Sequence, residues 1–537
     1  MREYNSTLKE VLDRHAPLKS STKVVRPTVP WYDDVIDNAR KLRRKAERKW
    51  RKTKRAEDFV AFKKRKNEAT YLMNKARREF YTHFVEENSD DQGKLFRAAK
   101  KLLTVEDKLS FPDHLDKIKL ANEIAEFFVT KVDGIRCEID SLNIPVTETN
   151  AIPSNISLDV EQRLESFRPL TEGDVRALIQ KSAKKLCMLD PMPTSLVTEC
   201  LDVLLSVITN IVNTSLATGY FPDEWKEALV HPLLKKTGMS TAYKNLRPVS
   251  NLQFLSKVVE RAAFLQIHYH MSENSLYPLL QSAYRKHHST ETALVKVLND
   301  ICININHQNV TLLVLLDLSA AFETVDHDIL LHRLESTFGI TGNTLMWLKS
   351  YLSGRSLRVS IDGGLSDSVH LPFGVPQGSC LGPLLFTMYA SKLFEVIKGH
   401  LPLVHAYADD TQLYLSFKPD GSVTGQDAMK AMERCINDIR IWMLTDKLKL
   451  NEDKTEFMVI GTRHQLGKVS IGELSVGDSE VVPVSTAKNL GVWLDSHLKL
   501  DTHVTKTVVQ HTFTCITFEG SESILHMNLH ELWFMRW

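Results

Sequence analysis

The hydrophobic and polar positions of this 537-residue chain change rhythm along its length. Between Arg40 and Phe80 the apolar and aromatic residues, Trp50, Phe59, Phe62, Tyr71 and Leu72, sit among charges with few helix breakers, which predicts long helices. Short helical stretches follow in GKLFRAAKKLL and LANEIAEFFVTKVDGI; the polar NIPVTETNAIPSNIS then reads as a linker, placing a boundary near residues 140 to 165. From there to about Leu500, helical patterns alternate with short apolar runs, the signature of a mixed α/β region. Thr311 to Leu318 (TLLVLLDL) is a continuous apolar run broken by one carboxylate, as expected of a strand buried on both faces that delivers Asp317 at its end. Just before it, Leu294, Leu298 and Ile301 recur at i, i+4 and i+7 and predict an amphipathic helix packing on that strand. Apolar and β-prone residues, Leu403 to Ala406 and Thr411 to Leu415, flank Tyr407-Ala408-Asp409-Asp410 and predict a hairpin with two carboxylates at its tip.

Composition excludes whole classes. With 43% hydrophobic and 25% charged residues the chain is neither disordered nor fibrous, and its length allows about three to four compact units. The cysteines (Cys137, Cys187, Cys200, Cys302, Cys380, Cys435, Cys515) are scattered, with no CxxC pair, so neither a disulfide scaffold nor a structural zinc is suggested. No run approaches about 20 apolar residues and the MREYNSTLKE start lacks an apolar segment, which argues for an intracellular protein, nuclear or cytoplasmic, without a membrane.

The net charge of +2 hides an asymmetry. Between Arg40 and Glu79 there are 18 Lys/Arg against 5 Asp/Glu, leaving 50 against 61 elsewhere. Such a surface binds phosphate backbones by counterion release, and Arg43, Arg44, Lys45, Arg48, Lys49, Arg51, Lys52, Lys63, Lys64, Arg65 and Lys66 are the expected contacts. The alternative is a solvated helix face whose charges pair internally.

An Asp-Asp pair alone also fits an ordinary surface turn. Asp317, 92 residues before Asp409, changes that reading, because a carboxylate ending a buried strand is costly unless paired or metal-bound. Three converging carboxylates could hold two Mg²⁺ ions, with Mn²⁺ as a substitute, and so support in-line nucleotidyl transfer.

The motif order LLVLLDLSAAFETVDH, FGVPQGSCLGPLLF, YADD, LKLNEDKTEFMVIG and NLGVWLD resembles the palm motifs of reverse transcriptases. Upstream, LDPMPTSLVTECLDVL, WKEALVHPLLKK, YKNLRPVSNLQFLSKVVERA and QSAYRKHHSTETALVKVLNDI resemble the fingers motifs of non-LTR, LINE-type, jockey-like retrotransposon polymerases. The resemblance, over about residues 180 to 500, implies an α+β right-hand polymerase with a palm of antiparallel sheet and helices, and fingers, behind a basic helical region. On that plan residues 1–90 bind nucleic acid, 91–165 connect, 166–300 are fingers, 301–465 palm, 466–500 a primer-grip-like hairpin, and 501–537 an atypical tail with an incomplete thumb.

The resemblance further implies that Asp317, Asp409 and Asp410 are the metal-binding catalytic triad and that Lys454 is general acid for the departing pyrophosphate. Phe322 matches the aromatic that selects dNTP over rNTP by clashing with a 2′-OH. Gln377 and Gly378 of the PQG loop match template and nucleotide contacts, glycine allowing close backbone approach, with Ser379 capping a helix from Leu381 to Ala390. Arg285 and Lys286 match positions that hold the triphosphate, Arg247 another that approaches template or nucleotide, and Leu490 and Gly491 the primer grip. The implied partners are an RNA template, a DNA primer or target, and dNTPs. Where the family usually has Asp after the motif aromatic, this chain has Glu323, which keeps the charge. Nothing before the basic segment matches the family's apurinic-type endonuclease, so that activity is expected in trans, and the resemblance fades after LGVWLDSHLKLDTHV. A degenerate product that only binds nucleic acid, and another type of palm polymerase, are the alternatives.

Overall fold

The computed structural model describes residues 1–17, 30–88, 111, 116–142, 163–182, 186–236, 238–419 and 425–508. The helix expected at 93–103, the linker at 143–157 and the tail from residue 509 lie outside them. The chain divides into two units, Met1–Leu18 with Leu109–Thr502, and Lys19–Lys108 with His503–Trp537.

In the larger unit, β1 (Glu227–Leu234) and β2 (Leu246–Asn251) form an antiparallel hairpin in which Leu233 faces Arg247. After the helices Phe254–Glu273 and Thr290–Asn306 comes β3 (Val310–Leu316), buried at every position except Leu315. β4 (Arg355–Ile361) then returns to the first sheet, parallel to β1, and carries β5 (Gly364–Leu365) and β6 (Val369–Leu371). β7 (Leu403–Tyr407), β8 (Asp410–Phe417) and β9 (Glu456–Ile460) surround β3 in the antiparallel order β7-β8-β3-β9.

Both faces of β3 are covered, so its residues read as one apolar run instead of alternating. The alternation reappears in what each face meets: Leu312, Val314 and Leu316 share a core with Met432, Ile436 and Ile439 of helix Gly425–Thr445, while Leu313 packs with Val297 and Ile301 of helix Thr290–Asn306. The amphipathic helix predicted from Leu294, Leu298 and Ile301 is therefore present, opened by a capping box at Ser289. The α+β palm-and-fingers class is observed.

The two sheets are not built from consecutive stretches of sequence. β4 to β6, within the stretch expected to be palm, complete the sheet begun by β1 and β2. Helix Lys117–Ser141, expected in a connector, seals that sheet: Leu120, Ile124 and Phe128 pack on Val230, Leu357 and Val359. Its other end is pinned by ion pairs from Arg136 to Asp326 (3.0 Å), Glu138 to Lys449 and Asp140 to Lys447. Helix Arg2–His15 also belongs here, with Leu8 in the main core. Helix Leu201–Thr218 is long and apolar enough to cross a membrane, but Leu205, Ile208, Val212 and Leu216 are buried among core residues. Beyond β9 lie two hairpins, β10 (Leu474–Val476) with β11 (Ser479–Val481) and β12 (Thr486–Asn489) with β13 (Val492–Asp495).

The smaller unit contains the basic helices, Asp34–Thr53 and Ala56–Glu87, folded against each other. Lys54, in the left-handed region at φ +56, ends the first; the Asp33 side chain caps its start by accepting from the Ile36 amide at 2.8 Å. Trp50 stacks on Phe62 with centroids 5.5 Å apart, and meets Phe59 at 5.0 Å. The aromatics of the sparse apolar pattern thus fasten the turn.

Candidate active site

Asp317 leaves the sheet directly after the last β3–β8 pair, Leu316 opposite Thr411. Its Oδ2 accepts from Lys454 Nζ at 2.9 Å and from Asn451 Nδ2 at 3.0 Å, and its carbonyl accepts from the Asn451 amide at 2.9 Å. Across β8, Tyr407 pairs with Asp410 and leaves a two-residue loop of Ala408 and Asp409, so the hairpin predicted around YADD is present. Ala408 lies at φ +58, a left-handed conformation that costs a residue with a Cβ about 1 kcal/mol or more.

The three carboxylates feel one another. Desolvation is the largest cause raising the Asp409 carboxyl above the usual range and pushing that of Asp410 up to about 6. Asp317 repels both, Asp409 adds to Asp410, Lys454 pulls both down, and Arg247 pulls Asp409 down. Crowded carboxylates of this kind favour a divalent cation, and their all-oxygen donor set suits a hard one. Among the described residues no three acidic, His or Cys side chains already surround a common point; Lys454 and Asn451 occupy Asp317 instead. The residues present fit a metal that would replace that lysine contact.

The β1–β2 hairpin brings cations from the fingers. The Lys235 amide closes the hairpin on the Asn245 carbonyl at 2.9 Å. Burial first, and then the charges of Lys131, Lys454 and Arg247, hold the Lys235 ammonium below its usual range, while Glu323 opposes them. Glu323 accepts from Gln377 Nε2 at 2.9 Å; burial raises its carboxyl against the pull of Lys131, Lys235 and Arg247. Lys131 and Lys235 were missed in the sequence. The available signal for Lys235 was its place at the end of an apolar strand beside the one that carries Arg247; Lys131, on a helix remote in sequence, had none.

Phe322 is half-buried and stacks on Phe386, centroids 4.9 Å apart. The Gln377 carbonyl accepts from the Ser250 amide at 2.9 Å, and a Cβ on Gly378, at φ +113, would sit 2.6 Å from the Ser250 carbonyl oxygen. Close approach at this glycine is thus to the fingers strand β2. Ser379 Oγ accepts from the Gly382 amide at 2.9 Å, starting helix Gly382–Tyr389 as expected. Arg285 sends Nη1 toward the carbonyls of Pro278, Leu279 and Gln281, and Lys286 is exposed. Leu490 and Gly491 form the tip of the β12–β13 hairpin, at φ +44 and +95.

In the basic unit, Arg44, Lys45, Arg48, Lys52, Lys63, Lys64 and Lys66 are exposed. Lys49 pairs with Asp58 at 2.8 Å, Arg51 with Glu47 at 2.7 Å and Arg65 with Glu68 at 2.7 Å, while Arg43 is half-buried. Internal pairing thus accounts for only part of the nominated set.

Residues 234–494, which hold both carboxylate elements and the PQG loop, match the family described as reverse transcriptase (RNA-dependent DNA polymerase). This segment is a reverse transcriptase domain. Similar proteins carry it too: the chain is 27% identical over 402 residues to the RNA-directed DNA polymerase from mobile element jockey of Drosophila melanogaster, covering 72% of this chain and 42% of that protein. It is 28% identical over 304 residues to the probable RNA-directed DNA polymerase from transposon BS of the same fly, covering 55% and 32%. The corresponding values for the probable polymerase from transposon X-element are 26% over 362 residues, 65% and 37%. The chain therefore spans less than half the length of these relatives. Divalent metal use is general to a reverse transcriptase domain, and the carboxylate corner described above supplies the fitting donors.

Proposed function

We propose that this chain is the RNA-directed DNA polymerase of a non-LTR, jockey-like retrotransposon, adding dNTPs to a primer 3′-OH on an RNA template inside the cell. The observation that carries the reading is that Asp317, just after β3, couples electrostatically with Asp409 and Asp410 at the β7–β8 turn, inside the reverse transcriptase segment. Two Mg²⁺ ions held by these three carboxylates would activate the attacking hydroxyl and steady the leaving pyrophosphate. Lys454, which donates to Asp317 in the metal-free site, would be free with metal bound to donate a proton to the departing pyrophosphate. Lys235 and Arg247 bind the triphosphate from the fingers side, the arginine by its fork of donors. Phe322, backed by Phe386, is a rigid wall against a 2′-OH, and Gln377, oriented by Glu323, meets the template. The exposed cations of the two basic helices hold the nucleic acid backbone, Leu490 and Gly491 meet the primer, and target cutting is supplied in trans.

Primer extension on an RNA template with Mg²⁺ and dNTPs, run beside Asp409→Asn, tests this. Extension lost in the variant supports the reading; extension that survives it sinks the site, and tight primer–template binding without extension in either protein leaves a nucleic-acid-binding product.

A further inference from the structure

We propose that Gln281 is a positioning residue that clamps the catalytic turn, and that Arg285 serves it by holding the loop on which it sits. The inference rests on the polymerase reading above and adds to it a device for aiming Asp409 and Asp410.

Residues 280 to 282 lie along the outer edge of β7 as a short parallel bridge. The Ala406 amide donates to the Leu280 carbonyl at 2.9 Å, and the Ser282 amide donates to the Ala406 carbonyl at 2.9 Å. Between these two contacts the Gln281 side chain, 1% exposed, reaches past the strand end to the turn. Its Nε2 donates to the Ala408 carbonyl at 3.1 Å, and its Oε1 accepts from the Ala408 amide at 3.0 Å and from the Ala283 amide at 3.0 Å. Both polar groups of one residue's backbone are thus bound by one amide side chain, and that residue is Ala408, the left-handed member of the loop. A two-residue loop with a methyl-bearing residue at positive φ reopens unless something over-determines it. A bidentate amide supplies what a local glycine does not, because it fixes the orientation of the peptide planes on both sides of Ala408. The next residues in the chain are the two carboxylates.

The loop that carries Gln281 is itself tied. Arg285 Nη1 lies 3.1 Å from the Pro278 carbonyl, 3.3 Å from that of Leu279 and 3.0 Å from that of Gln281. Its guanidinium stacks over the Tyr277 ring at 5.5 Å, and Ser282 Oγ meets His405 Nε2 at 2.9 Å. A guanidinium whose Nη1 is spent on three carbonyls has reduced capacity for a triphosphate. Its loop lies against β7, the place of a brace behind the turn.

The clamp is testable apart from catalysis, by hydrogen exchange on the full chain read by mass spectrometry. In Gln281→Ala the Ala408 amide should exchange at least about tenfold faster while the β3 peptide keeps its protection; unchanged exchange at Ala408 overturns the clamp. In Gln281→Glu the new carboxyl donates to the Ala408 carbonyl only when protonated, so exchange should approach wild type near pH 5 and rise toward the alanine variant near pH 8. A pH-independent ratio overturns it as well, since a merely structural role would not follow that carboxyl. In primer extension, Gln281→Ala should lower kcat about 10- to 50-fold, raise the half-saturating Mg²⁺ concentration and leave the dNTP KM within about twofold. Arg285→Ala should loosen residues 280–282 and 406–408 in the same exchange experiment with little change in dNTP KM. A dNTP KM raised tenfold with exchange unchanged would return Arg285 to the triphosphate and overturn the brace. If the wild-type chain does not extend a primer, the polymerase reading fails while the exchange result still decides the clamp.

Discussion

Asp317 is held by Lys454 and by Asn451 through both side chain and backbone, and the turn that carries Asp409 is bound on both its polar faces by Gln281. The exposed cations of the basic helices have a different kind of support. Where they are paired, the partner is usually a carboxylate within about one turn of the same helix, as with Arg51 and Glu47 or Arg65 and Glu68, the kind of exposed pair worth only about 0.5 kcal/mol or less. Chemistry on a phosphate needs three carboxylates at fixed separations, whereas attraction to a phosphate backbone depends on how many charges are present and hardly on where each one is. The first region should break at single atoms and the second only by accumulation.

The largest effect should therefore come from the smallest change. Asp409→Asn removes one charge without altering shape and should reduce primer extension by on the order of 10³-fold or more, with primer–template affinity within about twofold, measured by filter binding. Next, Phe322→Ala opens the wall backed by Phe386. Incorporation of rNTP relative to dNTP should rise by roughly 10- to 100-fold, and an unchanged ratio would move the selectivity elsewhere.

A third effect follows pH. The Asp410 carboxyl, raised to about 6 by desolvation and then by Asp409 and Asp317, must lose its proton to accept a cation. Mn²⁺ affinity, read by electron paramagnetic resonance, should weaken about tenfold for each pH unit below 6. The sign for stability is opposite. A raised folded-state pKa means a contribution fully present below the ordinary value near 3.8 and lost as pH rises through about 6; because Asp410 is exposed and solvent-screened, Asp410→Asn should raise the metal-free Tm at pH 7.5 only slightly and leave it unchanged at pH 3.

On the other side of the comparison, replacing Arg44, Lys45, Arg48 and Lys52 together with Ala should flatten the slope of log affinity against log salt by up to about 3 to 4, leaving extension at saturating primer–template intact. The smallest effect is Lys52→Ala alone, expected to change affinity less than about threefold. A large loss from that single change would mean that the basic helices read a specific geometry.

Much of the carboxylate corner was legible because it is local. The β3 run, the YADD hairpin and the helix before β3 each announce themselves within about ten residues, and their register follows from alternation and turn length. What stayed hidden was made by contacts distant in sequence. Lys131 approaches the site on a helix that packs on the fingers sheet, Gln281 acts on a residue 127 positions away, and the parallel pairing of β1 with β4 crosses the boundary that motif order suggests. Arg285 shows the converse. Its motif position suggested a ligand, but only its surroundings reveal that Nη1 is engaged by neighbouring carbonyls.

The β1–β4 pairing also sets a timetable for folding. Glu227 and Ser356, partners in the sheet, are separated by more than a hundred residues of chain. At about 5 to 20 residues per second, a ribosome takes several seconds or more to deliver the second after the first. During that interval the β1–β2 hairpin presents an open strand edge bearing Leu229 and Val230, a template for pairing with another nascent copy. A fragment ending near residue 300 would keep that edge for good and should aggregate, whereas one that continues through β6 can close the sheet. The sheet begun by β1 and β2 is therefore complete only once the chain has been made through β4.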